Sequence, residues 1–201
     1  MTGVQTCALP ISKRGDIGTT MEAYYDAWLG ANAPFISDAL TVSPYLGFDS
    51  LKPTMSSCLE RGKGLFILAA TSNPEGAKLQ RAIIADKTVA AQIWDSLTEI
   101  NSVTGDHAAK FGSFGAVLGA TLNLGSFGLH SVLSESQSVA TPILAPGFGA
   151  QGAELSAAKQ LFGASASQVI HSVSRSVLQA GPGGVAAAID SAKLELTHGL
   201  T

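Results

Sequence analysis

The chain is short of charge, of aromatic rings and of cysteine. Of its 201 residues only 13% are charged and 6% are aromatic, and its two cysteines are Cys7 and Cys58. Twelve Lys and Arg against fifteen Asp and Glu leave a net charge of −3, with the cations scattered, so there is no basic footprint for nucleic acid. Two cysteines are too few for a disulfide framework and have no metal-site spacing, so both read as inert thiols in a reducing cytosol. The four histidines, His107, His130, His171 and His198, have no ligand spacing, so no metal site is expected from them. No serine carries the flanking glycines of a nucleophile elbow. No apolar run reaches the roughly 20 residues that cross a bilayer. Met1 to Ile11 lacks the basic and apolar regions of a leader. These absences argue against nucleic-acid and membrane partners and place the protein in the cytoplasm.

What is present suits one α/β domain. Hydrophobic residues make up 46% of the chain, enough for a sizeable core. From Ile17 onward, apolar strands alternate with amphipathic helices. Ile17–Leu29 reads as a helix stopped by Gly30, Asp38–Ser43 as a short strand, and Phe48–Arg61 as a helix with Pro53 in its first turn. Leu65–Ala70 is a continuous apolar run, the mark of a strand covered on both faces. A long helical region follows Pro74, clearest from Thr88 to Ile100. Strands are expected at Phe114–Ala120, Ala140–Ala145 and Gln168–Val173, with helices near 124–133, 154–161 and 185–196. Five short strands alternating with helices predict a parallel sheet or barrel.

Three stretches carry chemistry. Lys13-Arg14-Gly15-Asp16-Ile17-Gly18-Thr19-Thr20 puts an ammonium and a carboxylate three residues apart, where a strand would hand over to a helix. The plainer reading is a solvated turn with Thr19 or Thr20 as helix N-cap and Glu22 in the first turn. Thr71-Ser72-Asn73-Pro74 follows the most apolar strand. Gly147-Phe148-Gly149-Ala150-Gln151-Gly152 matches G-x-G-x-x-G, but it follows the fourth strand, where a dinucleotide fingerprint follows the first. It reads better as a nest of backbone N–H groups for a phosphate, with Arg175 after the next strand as a charge-assisted donor. Lys13, Asp16, Ser72, Asn73, Gln151 and Arg175 all fall just beyond a strand's carboxyl end, where barrels keep their active sites.

Together these stretches resemble orotidine 5'-phosphate decarboxylase, in the bacterial branch whose lysine motif reads Asp-Ala-Lys-Arg-Gly-Asp-Ile-Gly. The resemblance runs from about Ser12 to the C-terminus. It implies a (β/α)8 TIM barrel and a cofactor-free homodimer acting on orotidine 5'-monophosphate. Carried over by position, Lys13 resembles the lysine that protonates C6. Asp16 resembles the aspartate lent to the neighbouring subunit, and Thr20 a substrate contact from the same segment. Ser72, with Asn73 beside it, resembles the group that meets the pyrimidine edge. Gln151 and Arg175, with backbone at Gly149 and Ala150, resemble the phosphate ligands.

The sequence also departs from that pattern. Ile11 stands where the motif's first aspartate belongs, and the strand carrying the family's other catalytic lysine is not found. Residues 1–11 resemble the translation of a ligation adapter fused in frame to a gene fragment. On that reading residues 12–201 are the C-terminal part of a single barrel domain lacking its first two to three strands, exposing a strand edge and having little or no turnover. Another phosphate-binding barrel enzyme of the sugar-phosphate isomerase or aldolase class, or a non-catalytic nucleotide-binding barrel remnant, stays open as an alternative.

Overall fold

The computed structural model describes residues 8–105, 110–129 and 139–201. Cys7, His107, His130 and the far end of the helix expected to Leu133 lie outside them. The first helix, α1 (Gly18–Trp28), buries Met21 and Tyr25, one turn apart, and Leu29 continues the stripe just past its end. It begins at Gly18 on an N-cap Ile17 that makes no side-chain cap. Thr19 and Thr20 therefore sit inside the first turn, not at the cap.

Five parallel strands follow: β1 (Ala39–Val42), β2 (Gly64–Ala70), and, after two short strands described below, β5 (Phe114–Leu118), β6 (Ile143–Pro146) and β7 (Val169–Ser172). Their spatial order is β1-β2-β5-β6-β7, so each strand of the sheet pairs with the next one along the chain. Helix α2 (Lys52–Glu60), with Pro53 in its first turn, and α3 (Pro74–Gln80) lie on either side of β2 in sequence, and α4 (Val89–Thr104) precedes β5. After β6 come α5 (Ala158–Phe162) and, after β7, α6 (Arg175–Leu178) and α7 (Gly181–Leu200).

Side chains alternate across the sheet with the period of two that a strand dictates. Leu40, Val42, Leu65, Ile67, Phe114, Ala116 and Ile143 join the large core with Met55 and Cys58 of α2, Trp94 and Leu97 of α4, and Phe162 of α5. Phe66, Val117 and Leu144 form a separate inner cluster, to which Leu9, Ala39 and Leu68 contribute. The Phe66 ring closes over Gly115, where an added Cβ would come within 2.5 Å of it.

Outside the five strands, residues 8–14 run beside β1. Ala8 O accepts the Asp38 and Ala39 amides at 2.9 and 3.3 Å, Pro10 O accepts Thr41 N–H at 3.2 Å, and Arg14 bridges Val42 in parallel. Pro10 has no N–H to leave unmatched at this edge. At the amino end of the sheet, Asn101 of α4 is wholly buried. It donates to Phe114 O at 2.7 Å and Thr141 Oγ1 at 3.2 Å, and accepts Phe114 N–H at 3.2 Å.

Two expectations need correction. The region after Pro74 is not one long helix: α3 stops at Gln80, and β3 (Ile83–Ile84) and β4 (Lys87–Thr88) form an antiparallel hairpin before α4. Its turn places Ala85 and Asp86 at φ 47° and 75°, a conformation usually signalled by Asn-Gly. The fourth main strand begins at Ile143 and not at Ala140, because Pro142 cannot donate to the ladder.

Candidate active site

Apart from Thr20, inside the first turn of α1, and Arg175, the first residue of α6, the expected site residues lie at the carboxyl edge of the sheet or on the loops that leave it. Lys13 is held through its backbone: its N–H donates to Thr41 Oγ1 at 3.1 Å, and its φ of 51° is left-handed. Ser43 N–H donates to Arg14 O at 2.7 Å. Gly15 lies so close to β1's exit that an added Cβ would stand 2.2 Å from the Ser43 carbonyl oxygen. Asp16 Oδ1 accepts Ile17 N–H at 2.9 Å, ahead of α1. Lys13 and Thr20 are exposed and Asp16 half-buried. Among the described residues Lys13 and Asp16 form no ion pair within 4.0 Å.

The loop after β2 is fixed by Gln80. Its amide donates to Thr71 Oγ1 at 2.7 Å while its carbonyl accepts Thr71 N–H at 2.9 Å. Thr71 Oγ1 in turn donates to Asn73 Oδ1 at 2.7 Å, and the Asn73 amide donates to Glu75 at 3.4 Å. Asn73 thus shapes the loop and opens α3 as its N-cap residue. The exposed Ser72 has no hydrogen-bond partner among the described residues, which leaves its hydroxyl for a ligand.

Beyond β6 the glycine loop closes on itself. Gly149 N–H donates to Ala153 O at 2.8 Å, Gly152 N–H to Gly149 O at 2.9 Å, and Ala153 N–H to Gly147 O at 3.1 Å. Gly147, Gly149 and Gly152 take φ of 121°, 68° and 109°. The Gly149 amide is thereby engaged within the loop, and the turn presents Ala150 and Gln151 outward. Gly149 also packs against α6: a Cβ there would meet Ser176 Oγ at 2.3 Å. This contact brings the loops after β6 and β7 together. They share a cleft lined by Gly149, Gly152, Ser176 and Val177, and the exposed Arg175 opens α6 beside it. Gln151 faces a second cleft, with Thr121 and Asn123 from the loop after β5.

Two further titratable groups are shifted by burial, the buried Cys58 and the half-buried His171. Burial pushes the Cys58 thiol up to about 12, only partly offset by Lys63, so it is an inert core group. Burial also lowers the His171 imidazole below its ordinary value, against a backbone hydrogen bond with Val169 that raises it. Its ring centroid lies 5.1 Å from that of Phe148 in the glycine loop.

Sequence reasoning missed Thr41, Thr121 and Asn123. Thr41 had a signal, a hydroxyl in the otherwise apolar Ala39-Leu40-Thr41-Val42. It is 1% exposed, and besides receiving Lys13 N–H it donates its Oγ1 proton to Pro10 O at 3.3 Å, while its carbonyl accepts Ser12 Oγ at 3.0 Å.

Consecutive parallel strands with intervening helices, and polar loops gathered at the carboxyl edge, define five strands of a (β/α)8 barrel in an open arc. The sequence profile of the orotidine 5'-phosphate decarboxylase / HUMPS family matches residues 12–189, and the chain belongs to that family. It is 48% identical over 173 residues to an orotidine 5'-phosphate decarboxylase of Streptomyces coelicolor, covering 85% of this chain and 58% of that protein. It is 46% identical over 171 residues to one of a Nocardioides species, covering 83% and 58%. A Streptomyces avermitilis protein solved as a candidate orotidine 5'-phosphate decarboxylase superposes with a TM-score of 0.86 at 42% identity, covering 98% of this chain and 67% of that one. The chain thus spans about 58% of the length of these curated relatives.

Proposed function

We propose that this chain carries the proton-donating and phosphate-gripping part of an orotidine 5'-monophosphate decarboxylase, a cytoplasmic enzyme in the last step of de novo UMP synthesis. The observation that carries the reading is that Lys13, Ser72, Gln151 and Arg175 leave the carboxyl ends of the edge segment, β2, β6 and β7 within one family-matched span. In the reaction the C6–carboxylate bond breaks, carbon dioxide leaves, and the electron pair stays on C6. Lys13 Nζ supplies the proton that completes the new C–H bond and is reprotonated from solvent. No ring system delocalises that carbanion, so a fixed ammonium nearby is the stabilising element. Ser72 reads the pyrimidine edge, with Thr20 and Asn73 lining the approach. Arg175, Gln151 and backbone at Gly149 and Ala150 hold the phosphate, with the Ala150 amide better placed than that of Gly149. Binding energy from that remote group serves the transition state. No cofactor is required by this chemistry.

Asp16 makes no ion pair with its own Lys13 among the described residues, which suits service to the site of a second subunit. The homodimer this implies has an apolar surface to use: Tyr45, Leu46, Leu79, Ile83 and Ile84 are each more than half exposed around the exit of β1 and the β3–β4 hairpin. With Ile11 two residues before Lys13, this chain alone is expected to turn over little or no substrate.

The test is UMP binding by calorimetry. Arg175→Ala and Gln151→Ala are each expected to weaken it, Arg175→Ala by roughly 10- to 100-fold for the loss of a charge-assisted contact. UMP affinity indifferent to both changes, or a preference for simple sugar phosphates, would sink the reading. Turnover by this chain at the rate of a full-length relative would instead overturn the expectation that it is inactive alone.

A further inference from the structure

We propose that Gln80 is a positioning residue which, acting through Thr71, turns the Asn73 side-chain amide so that the loop after β2 offers an N–H donor to a carbonyl oxygen on the pyrimidine edge. The inference rests on the decarboxylase reading above and adds to it the means by which a uracil-type edge is told from a cytosine-type one.

The direction of the relay follows from one group that cannot be reversed. Thr71 N–H can only donate, so the Gln80 atom 2.9 Å from it is the carbonyl oxygen. The Gln80 amide nitrogen is then the atom 2.7 Å from Thr71 Oγ1, and it too can only donate. The Thr71 hydroxyl accepts that bond and has a single proton of its own to give, which goes to Asn73 Oδ1 at 2.7 Å. Asn73 Oδ1 is thereby committed to the loop, and Nδ2, with two protons, occupies the other arm of the amide. One of those protons meets Glu75 Oε2 at 3.4 Å, and the second has no partner among the described residues.

Backbone and space hold the relay in register. Pro74 keeps the preceding Asn73 extended, at φ −72° and ψ 130°. In the first turn of α3, a Cβ added at Gly76 would stand 3.1 Å from Gln80 Nε2 and 3.2 Å from both Asn73 Nδ2 and Thr71 Oγ1. The three polar atoms therefore converge on a point that only glycine leaves open. The Gln80–Thr71 pair is enough to tie the loop to α3, so its extension to Asn73 adds orientation to a side chain that is itself exposed.

Orientation decides which base edge is welcome. Uracil and orotate carry a carbonyl oxygen at C4, where cytosine carries an amino group. A donor held at that edge gains a hydrogen bond with the first and meets a second donor in the other.

The experiment measures the affinity of this chain for UMP, CMP and ribose 5-phosphate by calorimetry, and the unsubstituted chain is expected to prefer UMP to CMP. In Gln80→Glu the carboxylate still accepts Thr71 N–H but takes the Thr71 hydroxyl proton as well, which releases Asn73. The UMP-to-CMP preference is expected to fall roughly 10-fold while exchange of the Thr71 amide stays slow. UMP and CMP carry the same phosphate charge, so the added carboxylate cancels from the ratio. Gly76→Ala, a change that favours the helix, is expected to lower the same ratio by pressing on the relay and to leave ribose 5-phosphate affinity unchanged. Equal binding of UMP and CMP by the unsubstituted chain, or a ratio that both variants leave intact, overturns the proposal. So does an equal loss of UMP, CMP and ribose 5-phosphate affinity in Gly76→Ala, the mark of a purely structural role. A ratio that responds to Gln80→Glu together with UMP affinity indifferent to Arg175→Ala supports the relay and counts against the decarboxylase reading, so the two fail separately.

Discussion

Replacing Gly15 by alanine tests whether the Lys13–Asp16 segment is placed by contact with β1. The added Cβ would lie 2.2 Å from Ser43 O and 3.2 Å from Ser43 C, far inside an ordinary contact. The segment has to move by roughly 1 Å, because the obstacle is backbone and has no rotamer to change. Movement breaks the 2.7 Å bond from Ser43 N–H to Arg14 O, which anchors the segment at this point. Overpacking costs about 1–3 kcal/mol and the lost hydrogen bond about 1 kcal/mol more. With a urea slope of about 2–3 kcal/mol per molar, the unfolding midpoint is expected to fall by about 1 M. Native-state amide exchange gives the local readout, since Ser43 N–H should lose protection while Leu97 in α4 keeps its own. In a closed barrel, and on the proposed role of Lys13 as proton donor, a 1 Å displacement is expected to slow decarboxylation roughly 100-fold. An unchanged midpoint together with unchanged Ser43 exchange would refute the claim that this contact sets the position of Lys13.

Two further outcomes concern stability. Asn101→Ala removes both hydrogen bonds to the Phe114 backbone and leaves its N–H and C=O buried, so a loss of about 2–5 kcal/mol is expected, read from Trp94 fluorescence during urea unfolding; a loss below about 0.5 kcal/mol would deny it a structural role. His171 is held below its ordinary pKa by burial, so the unfolded chain takes up the proton first. Its contribution is intact above about pH 6.5 and is lost as the pH falls from there toward the folded-state value. His171→Phe should flatten that part of the stability profile, and parallel profiles for the two proteins would show that the imidazole is not responsible.

The strands were legible because a parallel strand covered on both faces must be apolar throughout, and Leu65–Ala70 and Phe114–Leu118 are. The candidate site loops stood out for the opposite reason, since exposed or half-buried polar strings such as Lys13-Arg14-Gly15-Asp16 and Ser72-Asn73 have no place in a core. Roles that depend on a distant partner were not legible. Asn101 lies one residue past the end of the clearest helical pattern and reads as a solvated terminus. It is buried because Gly112 has no side chain to exclude it, an added Cβ there coming within 2.3 Å of the Asn101 amide. Thr41 reads as an ordinary β-branched strand residue until Lys13 N–H is placed on its hydroxyl. The β3–β4 hairpin escaped because Ala85 and Asp86 adopt positive φ without a glycine to announce it.

The distribution of the site residues gives the open arc its functional consequence. Lys13 belongs to one edge of the sheet and Arg175 follows the strand at the other, with β1, β2, β5, β6 and β7 between them. Were the sheet flat, strands about 4.8 Å apart would separate those edges by roughly 24 Å, beyond the reach of one nucleotide. Curvature shortens that span across the barrel mouth, and strands pairing with both free edges would hold the curvature fixed. The glycine loop and α6 are adjacent through the Gly149–Ser176 contact, so the proposed phosphate end is assembled by the loops after β6 and β7 alone. Lys13, the proposed proton donor, is not assembled with it by any local contact. Phosphate affinity should therefore survive in the open arc, whereas decarboxylation should depend on closure, because only closure fixes the distance from Arg175 to Lys13.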